Sequence, residues 1–276
     1  MSASSAHGVT VLHVDGVDVH LEGPADAPVV LMVHGWPDTH RLWDGTVAAL
    51  HTDHRCARFT LPGYTPGESP VSVDAMMAVW LRVADAVSPG RPLTLLVHDW
   101  GCIFGYEFAA RHPDRVARIV GVDVGDHNSR AFLGGLSGRE RAILVGYQLW
   151  LALAWKLSAL SRRLGDRMTR WMAQVLRAPA PAAAQHAGMN YPYAMRWFGS
   201  VGGFGRLARV DFAVPMFFVY GTRKYFMLHS RGWAEALAQR PHCRVQAFRT
   251  GHWIMLNDPA GFHAAVRAWL EETARA

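Results

Sequence analysis

The sequence predicts an α/β fold, a mostly parallel sheet flanked by helices and interrupted by an inserted helical cap. Three observations carry that reading. Short runs of strand length alternate with helical patterns over residues 29–123 and again over residues 215–272. Several of the runs are apolar throughout, as expected of strands covered on both faces. Between the two blocks, over residues 125–210, the alternation stops, and helical stretches rich in Trp, Met and Leu are punctuated by Pro179, Pro181 and Pro192. With 276 residues, half of them hydrophobic, the chain can bury one large core. The expected division is a core domain from residues 1–124 and 211–276, with a helical cap at 125–210.

Residues 9–14 and 17–21 alternate apolar and polar side chains across Asp15-Gly16, which predicts a β-hairpin. The next strand, residues 29–33, runs into His34-Gly35-Trp36-Pro37. Residues 41–50 have helical spacing. A short strand at 56–60 leads into the turn-rich Leu61-Pro62-Gly63-Tyr64. Residues 73–87 predict a helix, and an apolar strand then begins at Leu93. Residues 101–111 form the next helix, stopped by Pro113, and residues 116–123 the next strand. After the cap come a strand at 215–220, a helix at 230–239, a strand at 243–248 and a helix at 259–272.

Composition removes several function classes. The net charge is +6, from 28 basic and 22 acidic residues, but the arginines are scattered and form no dense patch for nucleic acid. Cys56, Cys102 and Cys243 are odd in number and lack metal spacing, so neither a disulfide framework nor a metal site is expected, and a reducing, cytoplasmic setting is. Residues 1–7 have neither a charged stretch nor an apolar core, so no secretory leader is expected. Residues 142–160 are long and apolar but carry Gln148 and Lys156. They predict a buried or pocket-lining helix, with membrane contact as the alternative and no stable membrane insertion.

The chemistry centres on Leu93-Thr94-Leu95-Leu96-Val97-His98-Asp99-Trp100-Gly101-Cys102-Ile103-Phe104-Gly105. A buried strand passing directly into a helix leaves room only for a very sharp turn. The residue at the apex is strained and its side chain exposed, which is the mechanics of a nucleophile elbow. The apex here is Asp99. Gly101 supplies the small residue that follows, whereas Val97 is larger than the residue usual before the apex. A helix N-terminus favours negative charge, and an Asp is already ionised at neutral pH, so it needs no base to become a nucleophile. Cys102 lies past the apex and reads as a packed side chain.

This stretch resembles the α/β-hydrolase superfamily, in the branch with an Asp nucleophile that holds epoxide hydrolases and haloalkane dehalogenases. His98-Asp99-Trp100-Gly101 is typical of both, and the resemblance runs from about Val29 to about Val266, weakest in the middle third. It implies an α/β-hydrolase fold and a catalytic His on the loop after the last strand, where His252 follows Gly251. One branch places the third member, an acid, after the strand at 215–220. That place reads Gly221-Thr222-Arg223-Lys224-Tyr225-Phe226 and holds no carboxylate. The other branch places it after the strand at 116–123, which indicates Asp123, with Asp126 as the alternative. Backbone N–H groups of Trp36 and Trp100 would form the oxyanion hole. Their indole N–H groups either cradle a leaving halide or simply pack. His34 and His98 read as structural hydrogen bonders.

The resemblance divides over the electrophile. His34-Gly35-Trp36-Pro37, with a bulky aromatic between Gly and Pro, is similar to epoxide hydrolases. Val97, Gly105 and Asp123 are similar to dehalogenases. Opening an epoxide needs an acid for the oxygen, and the cap offers Tyr147, Tyr191 and Tyr193. The expected function is therefore hydrolysis of a small lipophilic epoxide through an alkyl ester on Asp99, with no cofactor and no metal. Haloalkane dehalogenation with the same triad is the alternative. A catalytically silent relative that binds a small lipophilic ligand is the reading of another class.

Overall fold

The computed structural model describes residues 8–274, so the expectation about residues 1–7 lies outside the described residues. Strands β1 (Thr10–Val14) and β2 (Val17–Glu22) form the expected hairpin; Asp15 and Gly16 both take positive φ, as a tight two-residue turn requires. Strand β3 (Val29–Val33) is buried at every position. The helical spacing that follows resolves into one 3₁₀ turn at His40–Trp43 and helix α1 (Asp44–Leu50). Strand β4 (Arg55–Phe59), helix α2 (Val73–Val87), strand β5 (Leu93–His98), helix α3 (Trp100–Arg111) and strand β6 (Val116–Val122) follow, each within a residue or two of its expected bounds.

Four helices intervene before the sheet resumes. These are α4 (Arg130–Gly135), α5 (Gly138–Ser158), α6 (Arg162–Val175) and α7 (Tyr191–Phe198). Strand β7 (Met216–Gly221), helix α8 (Arg231–Ala238), strand β8 (Arg244–Phe248) and helices α9 (Ile254–Asn257) and α10 (Pro259–Ala274) complete the chain. The eight-stranded sheet has the order β1-β2-β4-β3-β5-β6-β7-β8, antiparallel through β1, β2 and β4 and parallel beyond.

The period of two along each central strand divides the core. Val29, Leu31 and Val33 face Trp80 and Phe108 of α2 and α3, while Val30 and Met32 face Trp43 of the 3₁₀ turn and Phe262 and Trp269 of α10. Burial of both faces is what makes these runs continuously apolar. The carboxyl ends of β3, β5, β6 and β7 therefore share one edge, where the intervening helices sit.

Helix α5 is buried on one face only. Its N-terminus is closed by a capping box between Ser137 and Glu140, and Leu144, Leu151 and Ala154 face inward. Its other face is not buried: Ala142, Gly146, Leu149, Leu153 and Lys156 are exposed at helical spacing. The sequence of α5 is apolar nearly all round, so composition could not tell a helix buried on every side from one with a bare outer face. No described helix is long and apolar enough to cross a membrane.

The large Val97 is accommodated locally. A Cβ added at Gly105 would stand 2.9 Å from Val97 Cγ1, so the helix can lie against the strand only because Gly105 has none. Replacing Gly with Ala inside a helix gains about 1 kcal/mol of propensity, whereas overpacking a close contact costs ~1–3 kcal/mol. Gly105→Ala is expected to destabilise the fold by about 1 kcal/mol in urea titration, and to stabilise it in a Val97→Ala background. Stabilisation in both backgrounds would show that Val97 does not dictate the glycine.

Candidate active site

The apex of the turn between β5 and α3 is Asp99, with φ 53° and ψ −119°, a left-handed conformation that a side chain opposes. Asp99 Oδ1 accepts a hydrogen bond from the Trp36 backbone N–H at 2.7 Å, and the Trp100 backbone N–H, at the start of α3, helps to lower the carboxyl pKa. The loop after β3 reaches this close because of Gly35. A Cβ there would stand 2.3 Å from Asp99 Oδ1 and 2.4 Å from Trp100 N. His34 fixes the loop, its Nδ1 bonding the Gly35 carbonyl at 2.8 Å and its Nε2 accepting from the Leu61 N–H at 3.0 Å. Burial lowers its pKa to about 4, so the ring is neutral.

His252 stands between two carboxylates. Its Nε2 is 3.4 Å from Asp99 Oδ2, and its Nδ1 hydrogen-bonds Asp123 Oδ2. Burial pulls the imidazole pKa down, but the charges and hydrogen bonds of Asp123 and Asp99 outweigh it and raise the value to about 9. The His98 ring lies against that of His252, centroids 4.4 Å apart, and its Nε2 donates to the His252 carbonyl at 3.2 Å. Burial holds His98 neutral, with a pKa of about 3, so it adds no competing charge.

Asp126 does not join this group. Its carboxylate accepts from the Ser230 N–H and hydroxyl, both at 2.6 Å, and ties the end of β6 to the start of α8. Cys102 is also set apart. Its thiol lies near the Val97 and Val122 carbonyls, and burial pushes its pKa to about 12.

Two neighbours were not singled out from sequence. Lys224 occupies the stretch after β7 that lacks a carboxylate, and its Nζ lies 2.6 Å from Asp123 Oδ1. That oxygen also accepts from the Gly221 N–H at 2.9 Å. Burial raises the Asp123 pKa, but Lys224 and His252 reverse this and bring it to about 2. The signal for Lys224 was present: the chain has two lysines, and one of them stands where a relative would carry an acid. Asp38 directly follows the Trp36-Pro37 motif, is fully buried, and accepts from Trp253 Nε1 at 2.8 Å. Burial lifts its carboxyl to about 7. It anchors the residue next to His252.

The cap reaches the same place from above. The Trp36 indole does not point at open space; its Nε1 donates to Asn190 Oδ1 at 2.7 Å, and Asn190 Nδ2 donates to Thr169 Oγ1 at 2.7 Å. Tyr191 is likewise committed, its hydroxyl donating to the Pro62 carbonyl at 2.9 Å. Tyr193 packs edge-on to both Trp36 and Trp100, with centroids 6.1 and 5.0 Å away, and Tyr147 adjoins it at 6.1 Å. Burial, then the Asp99 charge, holds the proton on Tyr193. Tyr147 is similarly raised, to about 12. Tyr64 is buried nearby, its hydroxyl without a hydrogen-bond partner among the described residues. Among the described residues no group of three or more His, Cys, Asp or Glu is placed to hold a metal ion.

The Lys224 charge has a measurable consequence. It offsets Asp123, and Asp123 in turn favours the protonated form of His252. Lys224→Met is therefore expected to raise the pH at which His252 loses its proton, by about one pH unit, followed by NMR of the ring. Lys224→Arg should leave it nearly unchanged. An equal titration in all three proteins would show that Lys224 does not tune the pair.

Comparison with known proteins places the fold. The model of the α/β hydrolase fold family matches residues 28–259. A stretch of 133 residues is 39% identical to a Mycobacterium tuberculosis protein named probable oxidoreductase EphD, covering 44% of this chain and 22% of that one. Over 103 residues it is 31% identical to epoxide hydrolase 2 of Caenorhabditis elegans, covering 36% and 29%. The match thus spans less than a third of the length of either relative. A crystal structure of Bacillus megaterium epoxide hydrolase with an inhibitor superposes with a TM-score of 0.68 at 17% identity, over 95% of this chain and 100% of that one. The matched family model covers most of the chain, and the chain belongs to the α/β hydrolase fold family.

Proposed function

We propose that this protein is a hydrolase that opens epoxides of small lipophilic molecules through a covalent ester on Asp99. The observation that carries the reading is the pair of cap phenols, Tyr147 and Tyr193, adjoining each other, with Tyr193 packed edge-on against Trp36 and against Trp100, the residue after Asp99. Asp99 Oδ2 attacks an epoxide carbon as the ring C–O bond breaks. The freed oxygen takes the proton of Tyr147 or Tyr193, and the ester carbonyl oxygen, Oδ1, stays on the Trp36 N–H, with the Trp100 N–H as the second donor of the oxyanion hole. His252 Nε2 then removes a proton from water, whose oxygen attacks the ester carbonyl. Collapse releases the second alcohol, which takes the proton from His252. The remaining proton passes from the regenerated Asp99 carboxyl to the phenolate.

The charges suit this order. In the free protein the Asp99 carboxylate helps to hold His252 protonated. Esterification cancels that charge, so the ring loses a reason to keep its proton at the step that needs a base.

Halide displacement is the second reading, favoured by the position of Asp123 after β6. A cradle of two indole donors is weakened, however, because the Trp36 indole is bound to Asn190. A silent binding protein would need no such convergence of Asp99, His252 and Asp123.

The test is a panel of epoxides and halogenated alkanes, read separately for diol and for halide. Diol is expected. Tyr193→Phe and Tyr147→Phe should each slow its formation at least tenfold, and together by about a hundredfold or more, since general acid catalysis is worth ~10²–10⁴. Halide release that is indifferent to both variants would move the assignment to dehalogenation.

A further inference from the structure

The outer face of the cap bears an apolar stripe that none of the described residues covers. On α5, Leu149 and Leu153 are 37% and 44% exposed, and Leu160 just beyond the helix is 86% exposed. On α6, Leu164, Trp171 and Val175 are 44%, 49% and 54% exposed and recur along one side. The two helices pack on each other, and the rings of Trp150 and Trp171, 4.8 Å apart, join the rows. Single exposed apolar residues are ordinary, but a contiguous set on two neighbouring helices marks a binding surface.

The charge of the same segment says what kind. Residues 137–177 hold eight Arg and Lys against Glu140 and Asp166, a surplus equal to the net +6 of the whole chain. Arg139, Arg162, Arg163 and Arg167 are exposed and make no ion pair among the described residues. A second copy of this face would meet it with the same positive surplus, which opposes pairing. An anionic surface complements it. Leu, Val and Trp on a helix face flanked by Arg are what an interfacial helix pair presents when it lies in a headgroup layer without spanning it. We propose that the α5–α6 hairpin docks the protein on anionic lipid membranes, with the cap facing the lipid. This is independent of the epoxide reading, because it rests on the outer face alone.

The experiment is co-sedimentation of the full chain with vesicles of phosphatidylcholine, and with vesicles in which about a third of the lipid is phosphatidylserine. Binding at least tenfold stronger to the anionic vesicles, falling as salt rises, is expected. Leu149→Ser with Leu153→Ser, and separately Arg162→Glu with Arg163→Glu, should each weaken it about tenfold, with circular dichroism reporting that the fold is intact. If a paired variant unfolds, the wild type still decides through quenching of tryptophan fluorescence by brominated lipid, which should fall when Trp171→Phe removes the exposed ring. Wild type that stays in the supernatant with both vesicle types overturns the proposal. So does equal binding to both, or a dimer in sedimentation equilibrium that Leu149→Ser dissociates, which would assign the face to a second copy.

Discussion

The carboxylate of Asp99 is held at one point by three constraints acting together. Strand β5 is buried on both faces, helix α3 begins at the next residue, and the loop after β3 presses its N–H against the carboxylate through the bare Gly35. The left-handed backbone at the apex costs on the order of 1–3 kcal/mol and persists only because the flanking strand and helix are fixed by packing. His252 and Asp123 take their positions from neighbouring strand ends on the same edge of the sheet. A shift of α3 relative to β5 would thus displace the carboxylate from the Trp36 N–H and from the imidazole.

Charge is distributed across the site with the same economy. Asp99 and Asp123 lie on opposite sides of one imidazole, a pairing that would overload it with negative potential if both carboxylates acted alone. Lys224 takes the far oxygen of Asp123 and supplies a compensating positive charge. The acid after β6 and the lysine after β7 are therefore one device. With the acid after β6, the strand end after β7 is open to a cation. Asp38, by contrast, is buried with Trp253 as its hydrogen-bond donor, and burial pushes its carboxyl toward neutrality.

Much of this was legible in the sequence because it depends on period and on local turn geometry. The apolar runs of β3 and β5, the Asp15-Gly16 turn and the strand-to-helix passage at Asp99 are all properties of short segments. His252 and Asp123 were readable only through resemblance, since nothing local distinguishes one loop His among 15. What escaped were relations between distant segments. Lys224 reaches Asp123 across 101 positions and the Trp36 indole meets Asn190 across 154. Tyr191 and Tyr193 could not be separated by composition. Only the packing of α7 shows one hydroxyl spent on Pro62 and the other ring set between Trp36 and Trp100. The bare face of α5 was hidden for the opposite reason, because a helix apolar on every side gives no indication of which side is covered.

The ester on Asp99 is the claim on which the rest of the chemistry turns, and one measurement addresses it. A single turnover of substrate by excess wild-type protein in heavy-oxygen water, followed by mass spectrometry of the peptide containing Asp99, locates the oxygen taken from solvent. If Asp99 is alkylated and water then attacks its carbonyl, the label appears in the Asp99 carboxylate and is absent from the first molecule of product. Label found in the product alone, with Asp99 unlabelled, would mean that water attacks the substrate directly, and Asp99 would have to be reassigned as a base.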